Sequence, residues 1–416
     1  MTLYEDLKYR NLIKDFSSEE EIKKMLSTPQ VIYCGFDPSA ASMHMGNFVM
    51  VMTLMRLQQA GHKIIAVVGG ATGMIGDPSG RTSERQLLDE KEIALNTEKI
   101  REQLERYLEF NDKNKGEIVN NYDWLSKISL LSYLRDYGKH FGINYMLAKD
   151  TVKSRLETGI SYTEFSYMVL QSIDFLHLHE NYGVTMQIGG SDQWGNLVSG
   201  LDLIRRVNGE RTNVEVMTAH LLTDSQGDKF GKSVDGALFI DKEKFSPYAL
   251  YQYFINVSDE DALKYLKVLT FLSKEEIEAL NQEHLEAAHK RQAQKRLAYE
   301  VVKIVHNEKE AVTAIKMSEA LFTGDFETLT KSNLAELFDK LAAPLAVNVK
   351  LEDALITLGA AKSKREAREF INGNAISLNG VKVNDPELLL SEKYFLHATY
   401  AVIKRGRRNY YVGKKT

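Results

Sequence analysis

The sequence predicts an α/β protein: an open, doubly wound parallel sheet comes first, then an α-helical domain, then a small α+β domain. Residues 31–36 and 63–68 are apolar runs of strand length, and the apolar segment 48–57 between them suits a buried helix. This order is typical of a parallel β-α-β unit. From residue 246 to about 320 the pattern is helical and poor in glycine, and beyond residue 351 short alternating strands surround an Asn-Gly turn.

The length of the chain sets how many domains we expect. With 416 residues it exceeds what one hydrophobic core usually serves. The predicted segments are a doubly wound domain over 1–220, a mobile loop and connection over 221–245, an α-helical domain over 246–320, a linker over 321–350 and an α+β domain over 351–416.

Composition places the chain among ordinary water-soluble proteins. Hydrophobic residues make up 44% and charged residues 26% of the chain, and the formal net charge is −4. The one cysteine, Cys34, excludes a disulfide framework and a cysteine-based zinc site, which fits a reducing compartment. The first residues lack the apolar core of a signal peptide, and no apolar run reaches the length of a membrane span. We therefore expect a cytoplasmic protein with no membrane partner.

The stretch after the first strand has the features of an anion site. A loop of small residues leads into the apolar helix, with His44 and Asn47 at the start of that helix and Gly46 allowing close approach of backbone. The first N–H groups of a helix lack partners and its dipole is positive at that end, so the pattern favours a bound anion. The alternative is a histidine that only satisfies a local hydrogen bond.

A run of glycines follows the second strand and ends at Asp77. Its spacing is G-x-x-G-x-x-G rather than the G-x-G-x-x-G of dinucleotide-binding folds, which argues against a nicotinamide site. The glycines also suit a tight turn. Asp77 is a candidate counter-ion for a positively charged group of a substrate.

Three further helices and one strand are expected before residue 190. The helices cover about 84–112, 127–138 and 162–180, and the strand covers 185–188. In the third helix, Tyr167, Gln171 and Asp174 are spaced i, i+4 and i+7 and share one face. Buried polar groups cost free energy unless they are paired, so this face indicates a polar pocket or else a solvated surface.

Three loops would meet at one edge of the predicted sheet. Residues 33–47, 69–80 and 189–196 each follow a strand, and open parallel sheets bind ligands at the carboxyl ends of their strands. In the third loop, Asp192 suits the hydroxyl groups of a ribose.

The segment Lys229-Phe-Gly-Lys-Ser233 is a loop with two ammonium groups. It is not a phosphate-binding P-loop, because Gln226 stands where that motif needs glycine and no helix follows. A mobile loop of this kind could close on phosphates and supply positive charge in a transition state, or it could be a solvated lysine pair. The sequence has no metal-ligand cluster, so we expect no protein-bound metal site.

The C-terminal region is basic and suits RNA. From residue 350 to the end there are thirteen Lys and Arg residues against seven Asp and Glu residues. Ser363 and Glu366 form a capping box, and a hairpin over about 399–412 interleaves cations with aromatic rings. The alternative is a hairpin with an incidental positive rim. The candidate RNA-binding residues are Lys364, Arg365, Arg368, Lys404, Arg405, Arg407 and Arg408.

Taken together, these motifs resemble those of the bacterial tyrosyl-tRNA synthetases, a family of class I aminoacyl-tRNA synthetases. His44-Met-Gly-Asn47 and the 229–233 loop are similar to the two ATP motifs of the class, although Asn47 replaces a common His and Phe230-Gly231 a common Met-Ser. Residues 351–416 resemble the RNA-binding module named after ribosomal protein S-four. The family-specific motifs are Tyr33-Cys-Gly-Phe-Asp37-Pro, Gly-Asp77-Pro-Ser-Gly, Tyr167-x3-Gln171-x2-Asp174 and Gly189-Gly-Ser-Asp-Gln-Trp194.

The resemblance implies a Rossmann-like catalytic domain and a role for each motif residue. The implied catalytic residues are His44, Asn47, Ser39, Lys229, Lys232 and Ser233. The implied tyrosine-binding residues are Tyr33, Asp77, Tyr167, Gln171, Asp174 and Gln193. The implied ATP-binding residues are Asp37, His44, Gly46, Asn47, Gly190, Asp192 and Lys232.

The resemblance also implies the reaction and its partners. Tyrosine would attack ATP, giving tyrosyl-adenylate and pyrophosphate with Mg²⁺ on the departing pyrophosphate, and the tyrosyl group would then pass to tRNA(Tyr) on a homodimeric enzyme. One alternative is the tryptophanyl relative, which shares the ATP corner but lacks the C-terminal RNA module and a need for the Tyr33 and Asp174 pair. Another is a non-catalytic RNA-binding protein, which predicts damaged ATP motifs, whereas both are intact here.

Overall fold

A computed structural model describes residues 1–81, 83, 87–156, 159–228, 230–231 and 236–416, together with the backbone of residues 232 and 233. The chain forms two compact units, one of residues 1–246 and 257–297 and the other of residues 247–256 and 298–416. None of the described helices combines the length and the apolar character that crossing a membrane requires.

The helices and strands alternate through the first unit, and helices dominate before the C-terminal strands. The helices are α1 Leu3–Tyr9, α2 Glu19–Met25, α3 Met45–Gln59, α4 Thr72–Ile75, α5 Glu90–Leu104, α6 Tyr122–Leu125, α7 Leu130–Ser132, α8 Ile143–Leu147, α9 Asp150–Lys153, α10 Tyr162–Tyr182, α11 Trp194–Asn208, α12 Pro247–Ile255, α13 Asp259–Leu269, α14 Lys274–Ala287, α15 Gln292–Val305, α16 Glu308–Thr323, α17 Lys331–Phe338, α18 Leu351–Thr357 and α19 Lys364–Asn372. The strands are β1 Val31–Phe36, β2 Lys63–Val68, β3 Gly116–Asn120, β4 Met186–Gly190, β5 Glu215–Ala219, β6 Lys232–Ser233, β7 Gly236–Ala237, β8 Ala342–Leu345, β9 Val349–Lys350, β10 Ile376–Leu378, β11 Val381–Lys382, β12 Leu389–Leu390, β13 Tyr400–Arg405 and β14 Asn409–Lys415.

The first unit is built on a five-stranded parallel sheet in the order β3-β2-β1-β4-β5, which confirms the predicted doubly wound fold. In the register of the sheet, Tyr33 on β1 lies between Ile65 on β2 and Gln187 on β4. Helices α10 and α11 pack against this sheet, in one hydrophobic cluster with residues of β1, β2 and β5. The carboxyl ends of the three central strands therefore open at one edge, where the predicted loops lie.

Two strands of this sheet were not predicted. Strand β3 lies inside a stretch that looked polar, and Lys63 on β2 pairs with Glu117 on it at 2.6 Å. Strand β5 begins with a buried glutamate, Glu215, whose charge is compensated by Arg205 at 3.0 Å. In both cases a distant ion pair makes a charged strand residue acceptable, which a local pattern cannot show.

Two helical predictions also need correction, and the N-terminal segment is divided into two helices. The polar segment 4–28 forms α1 and α2, separated by a stretch whose Lys14 N–H donates to the carbonyl of Thr218 on β5 at 2.8 Å. Residues 127–138 contain the short helix α7, a π-helical turn at Tyr133–Tyr137 and the first residue of a 3-10 turn at Gly138–His140. The helix expected over 84–112 spans Glu90–Leu104, and residues 84–86 lie outside the described part of the chain.

The segment 321–350, predicted as a linker, is folded. It contains helix α17 and strand β8, and β8 pairs in parallel with β14 at the edge of a second sheet, in the order β11-β10-β13-β14-β8. Phe326 and Phe338 pack with Tyr400 and Tyr410 in one cluster that also contains Met317 of α16. The C-terminal sheet therefore shares its hydrophobic core with the helices before it.

The turn predicted at Asn379-Gly380 is confirmed. It joins the antiparallel strands β10 and β11, and its two residues have φ angles of 48° and 85°, as a type I′ turn requires. Gly380 is needed there for a second reason, because a Cβ atom at this position would lie 2.1 Å from the carbonyl oxygen of Gly324.

Candidate active site

The three predicted loops line one cavity of about 800 Å³ at the carboxyl ends of β1, β2 and β4. The cavity brings together every residue before position 200 that the sequence assigned to substrate binding or catalysis. These are Tyr33, Asp37, Ser39, His44, Gly46, Asn47, Asp77, Tyr167, Gln171, Asp174, Gly190, Asp192 and Gln193.

The start of helix α3 has a reciprocal cap, in which His44 and Asn47 each accept a hydrogen bond from the backbone N–H of the other. His44 Nδ1 accepts a hydrogen bond from the Asn47 N–H at 3.3 Å, and Asn47 Oδ1 accepts one from the His44 N–H at 3.2 Å. Gly46 fits beside them because a Cβ atom there would lie 2.8 Å from the imidazole ring. The helix mouth thus places two polar side chains at the cavity, where the positive end of the helix dipole favours an anion.

Asp174 lies at the closed end of the cavity with both carboxylate oxygens hydrogen-bonded. Oδ1 accepts from Trp124 Nε1 at 2.8 Å and Oδ2 from Asn121 Nδ2 at 3.0 Å. Burial raises the pKa of Asp174 to about 7, against the opposing effect of these two donors. Tyr33 is buried nearby, and its pKa lies well above the usual range because of burial and the neighbouring Asp174 carboxyl group. The two groups form a buried polar part of the cavity lining, which we call the end wall.

A second carboxylate, Asp37, is linked to Asp174 by a chain of hydrogen bonds. Thr72 Oγ1 donates to Asp37 at 2.8 Å, and Asn121 Nδ2 donates to Thr72 Oγ1 at 2.9 Å as well as to Asp174. Tyr167, assigned to the tyrosine pocket, donates its hydroxyl to the other oxygen of Asp37 at 2.8 Å. Asp37, which the sequence assigned to ATP, is therefore in direct contact with Tyr167, which the sequence assigned to tyrosine.

Sequence reasoning missed Thr72, Asn121 and Trp124. Asn121 directly follows β3, so recognition of that strand would have placed a fourth polar tip at the same sheet edge. Thr72 and Trp124 carry no such signal, because only the fold brings them to the two carboxylates.

A second part of the cavity lining, which we call the side wall, consists of Asp77, Gln171, Gln187 and Gln193. It carries two amide oxygens without partners. The Oε1 atoms of Gln171 and Gln187 are buried and have no hydrogen-bond partner among the described residues. In the same wall, Gln193 Nε2 donates to Asp77 Oδ2 at 2.5 Å. Buried amide oxygens rarely stay unpaired, so they indicate donors supplied by a ligand.

The loop that contains residues 230–233 contacts the mouth of α3. Gly231 has φ 92°, and a Cβ atom there would lie 3.0 Å from the backbone nitrogen of Gly46. The Leu238 N–H donates to the Gly231 carbonyl at 2.8 Å, and the Met45 N–H donates to the Leu238 carbonyl at 2.8 Å. The two predicted ATP motifs are therefore adjacent. Lys229 and the side chains of Lys232 and Ser233 lie outside the described part of the protein.

The predicted RNA-binding cations of α19 are exposed but paired with acids. Arg368 and Lys364 both contact the buried Glu352, and Arg365 contacts Glu369 at 3.2 Å. The Arg365 side chain is 91% exposed, so its surface pair holds it only weakly.

The hairpin cations divide into two groups by their contacts. Lys404 donates to the Leu321 carbonyl at 2.9 Å, and Arg405 donates to the Ala360 carbonyl and stacks on Phe370 at 4.9 Å, so both serve the fold. Tyr410 is partly buried against the shared core, and its hydroxyl donates to the Leu321 carbonyl. Arg407 and Arg408 at the hairpin turn are exposed.

Among the described residues, no three His, Cys, Asp or Glu side chains gather in a way that could hold a metal ion.

Comparison with known proteins adds two family matches. The family described as "tRNA synthetases class I (W and Y)" matches residues 24–323, and the "Tyrosine--tRNA ligase SYY-like C-terminal domain" matches residues 334–412. The second match begins inside the segment predicted as a linker, in agreement with the position of β8.

Individual relatives match along the whole chain. The tyrosine–tRNA ligase of Bacillus caldotenax is 48% identical over 416 residues, which are 99% of each chain, and that of Staphylococcus carnosus is 47% identical over 415 residues, again 99% of each chain. A solved structure of a C-terminally truncated mitochondrial tyrosyl-tRNA synthetase from Aspergillus nidulans superposes with a TM-score of 0.69 at 30% identity, covering 77% of this chain and 94% of that one.

Proposed function

This chain belongs to the tyrosine–tRNA ligase family of class I tRNA synthetases, and we propose how its cavity and its C-terminal unit divide the work of that activity. The observation that carries the proposal is the single cavity in which the His44–Asn47 helix mouth and the Tyr33–Asp174 end wall face a shared space. Two reactants bound at these two places would lie side by side.

The proposed reaction has two steps. A carboxylate oxygen of L-tyrosine attacks the α-phosphorus of ATP, a P–O bond forms, and pyrophosphate leaves with the electrons of the bond that breaks. A hydroxyl of the terminal ribose of tRNA(Tyr) then attacks the tyrosyl carbonyl and loses its proton, and AMP leaves. Little covalent chemistry falls to the protein, so positioning and charge neutralisation carry the catalysis.

Tyr33 and Asp174 are proposed to bind the phenol hydroxyl of the substrate. The Asp174 carboxylate would accept a hydrogen bond from the hydroxyl group, and its own position is fixed by Asn121 and Trp124. Phenylalanine would leave these buried polar groups unpaired, which costs free energy and supports selectivity for tyrosine.

Four residues are proposed to hold the substrate ammonium group. Asp77, Gln171 and Gln193 offer oxygen acceptors on the side wall, and the unpaired Oε1 of Gln171 supports this role. Tyr167 would contribute through its oxygen while donating to Asp37.

The helix mouth and the adjacent loop are proposed to bind ATP. His44, Asn47 and Ser39 would contact the phosphates, and Lys229, Lys232 and Ser233 would neutralise charge as it builds up on the leaving pyrophosphate. Gly46 would admit the nucleotide to the helix mouth, while Asp37, Gly190 and Asp192 would bind ribose and backbone atoms of the adenylate. Mg²⁺ is proposed to arrive and depart with the phosphates, as part of the substrate.

The C-terminal unit is proposed to bind tRNA through exposed cations on α19 and at the turn between β13 and β14. Lys364, Arg365, Arg368, Arg407 and Arg408 remain the candidates, whereas Lys404 and Arg405 are assigned to structure. The catalytic domain over 1–220, the ATP loop over 221–245 and the anticodon-side helices over 246–320 remain proposed divisions. We place the activity in the cytoplasm, where ATP and tRNA are available.

A homodimer is proposed from an exposed apolar patch on the first unit. Leu130, Leu131 and Leu134 are each at least 50% exposed, and Tyr162, 69% exposed, hydrogen-bonds Tyr133 in the same segment. Contiguous exposed apolar surface of this kind is typical of an interface between chains.

The decisive experiment is ATP–pyrophosphate exchange with single amino acids, followed by charging of tRNA(Tyr). We expect exchange with tyrosine and none above background with tryptophan or phenylalanine. Exchange driven by tryptophan alone would make this the tryptophanyl relative. Tyrosine binding without any exchange would instead support a non-catalytic RNA-binding protein.

A further inference from the structure

Helix α13 contacts both segments assigned to ATP, and we propose that its residues Asp261, Lys264 and Tyr265 are positioning residues that hold the 222–231 loop against helix α3. The proposal rests on the proposed function of that loop. None of the three residues lines the substrate cavity, so their effect would pass through the loop.

The 222–231 loop has an internal framework of its own. The Phe230 N–H donates to the Leu222 carbonyl at 2.9 Å, which closes the loop. Asp224 Oδ1 accepts from the N–H groups of Gln226 at 3.0 Å and Asp228 at 2.9 Å, which fixes the turn at its tip. These hydrogen bonds join the described residues of the loop into one unit. Contacts with other elements therefore determine the position of that unit.

Three side-chain contacts tie this piece to α13. The Ser225 hydroxyl donates to Asp261 Oδ2 at 3.0 Å. Lys264 Nζ donates to Thr223 Oγ1 at 3.1 Å and also to the Thr223 carbonyl.

The third contact is aromatic. The rings of Phe230 and Tyr265 lie 4.8 Å apart between centroids, and both residues are buried. The three contacts involve residues at the start, the tip and the end of the loop, so they restrain its orientation as well as its distance from the helix.

The other end of α13 is anchored to the helix that carries His44 and Asn47. Arg56 near the end of α3 donates to the Thr270 carbonyl just after α13 and lies 4.6 Å from the centre of the Phe271 ring. Arg10 after α1 donates to the carbonyls of Lys267 at 2.9 Å and Leu272 at 2.7 Å.

Both arginines are buried, and burial lowers the pKa of Arg56 to about 9. Buried guanidinium groups that donate to helix-end carbonyls are expensive to displace. Helix α13 is thus fixed to α3 at one end and to the loop along its length. It sets the spacing between the two ATP motifs.

A matched pair of lysines on α13 tests this inference. In Lys264→Met the charge-assisted hydrogen bonds to Thr223 disappear, so we expect kcat for tyrosine-dependent ATP–pyrophosphate exchange to fall about tenfold, the order expected for one such contact. The tyrosine dissociation constant should stay within about twofold. Lys267→Met alters the same helix away from the loop, where the ammonium lies over the Tyr9 ring, and should leave kcat unchanged. Lys264→Arg should restore most of the rate.

Two serines give a second test that does not touch the helix interior. Ser225 and Ser258 both donate to Asp261 Oδ2, but Ser225 belongs to the loop and Ser258 caps the start of α13. Ser225→Ala should lower kcat while the unfolding midpoint stays constant. Ser258→Ala should lower the midpoint while kcat stays constant.

The outcomes separate this inference from the proposed function. A wild-type chain with no tyrosine-dependent exchange would overturn the function itself. Normal wild-type exchange with an unaltered kcat in both Lys264→Met and Ser225→Ala would overturn the positioning role of α13 alone. Equal losses in Lys264→Met and Lys267→Met would show a general effect of helix stability and would also overturn it.

Discussion

At the scale of single residues, Asp174 combines two opposed influences. Burial favours its neutral form, whereas Asn121 and Trp124 donate hydrogen bonds that favour the charged form, and the nearby Asp37 carboxylate disfavours it. Burial has the largest effect, so the carboxyl group titrates near neutral pH with a pKa of about 7. A small change in its surroundings would therefore change the fraction of protein molecules in which Asp174 is ionised near neutral pH.

This balance predicts that tyrosine binding depends on pH. The ionised carboxylate is the form that would accept a hydrogen bond from the phenol hydroxyl, so the tyrosine dissociation constant should fall as the pH rises from about 6 to about 8 around the pKa of 7. Equilibrium dialysis measures this directly. In Asp174→Asn the affinity should be lower and this pH dependence should vanish. A variant that keeps the same pH profile would show that another group titrates.

The same pKa has a consequence for stability, with the opposite direction to that of most carboxylates. The pKa is raised in the folded protein, so the folded state holds the proton over a range in which the unfolded chain has lost it. The contribution of Asp174 to the free energy of unfolding is therefore greatest below the ordinary carboxyl pKa and is lost as the pH rises toward 7.

Residue-level prediction from the sequence succeeded where a motif names its members and stopped where contacts are set by the fold. Tyr33 and Asp174 were named because they lie in family motifs. Trp124 acts on Asp174 from fifty positions away, and nothing in its local sequence signals a hydrogen bond to a carboxylate.

At the scale of elements, the loop over 229–233 is predicted to act on the rate and not on amino-acid binding. Lys232→Ala removes positive charge from the proposed site of pyrophosphate departure, so the rate of adenylate formation should fall about a hundredfold or more. The tyrosine dissociation constant should change little, because the amino acid is proposed to bind at the Tyr33 end of the cavity. Single-turnover fluorescence or quenched-flow assays separate the two quantities.

Lys242→Ala is the control for this prediction, since Lys242 is an exposed lysine close to the loop in sequence. It should leave both quantities unchanged. If Lys232→Ala weakens tyrosine binding as much as it slows adenylate formation, the role assigned to the loop is wrong.

Element prediction followed apolar patterning closely and failed where long-range pairs replace it. Strands β1 and β2 are continuous apolar runs and were placed residue for residue. Strands β3 and β5 carry Glu117 and Glu215, whose partners Lys63 and Arg205 are supplied by other elements. A charged residue in a strand makes the local pattern resemble a loop, and only the fold shows the ion-pair partner that makes the strand possible.

At the scale of the whole molecule, the shared core of the second unit changes where the chain can be cut. A protein ending at Thr323 loses the whole C-terminal sheet and should keep tyrosine-dependent ATP–pyrophosphate exchange while losing tRNA charging. The Aspergillus relative was likewise solved as a C-terminally truncated chain. Exchange and charging assays at physiological salt test this, and charging that survives would contradict the RNA assignment.

A protein ending at Lys350 should behave worse, although it is longer. It keeps β8 without its partner β14, and it keeps Phe338 without Tyr410, so a bare strand edge and an apolar surface are exposed. We expect aggregation in sedimentation velocity experiments. If this longer fragment is as soluble as the one ending at Thr323, the two parts of the unit are independent.

The apolar patch on the first unit predicts the oligomeric state. Leu131→Glu places a charge in the proposed interface and should convert the proposed dimer to a monomer, as measured by sedimentation equilibrium. Leu285→Glu is the matched control, because Leu285 is 71% exposed on α14 and lies outside the patch. A wild-type monomer, or a dimer unaffected by Leu131→Glu, would contradict the proposal.

Strand β8 also restricts which coding segment could transfer the C-terminal sheet to another gene by recombination. The sheet takes this strand from residues before α18, and Lys404 and Tyr410 donate to the Leu321 carbonyl at the end of α16. A coding fragment for residues 351–416 would lack one strand, and a fragment that begins after α16 would lack the acceptor for both donors. Recombination that transplanted this part into another protein would therefore have to carry α16 with it to keep the complete sheet and these two hydrogen bonds.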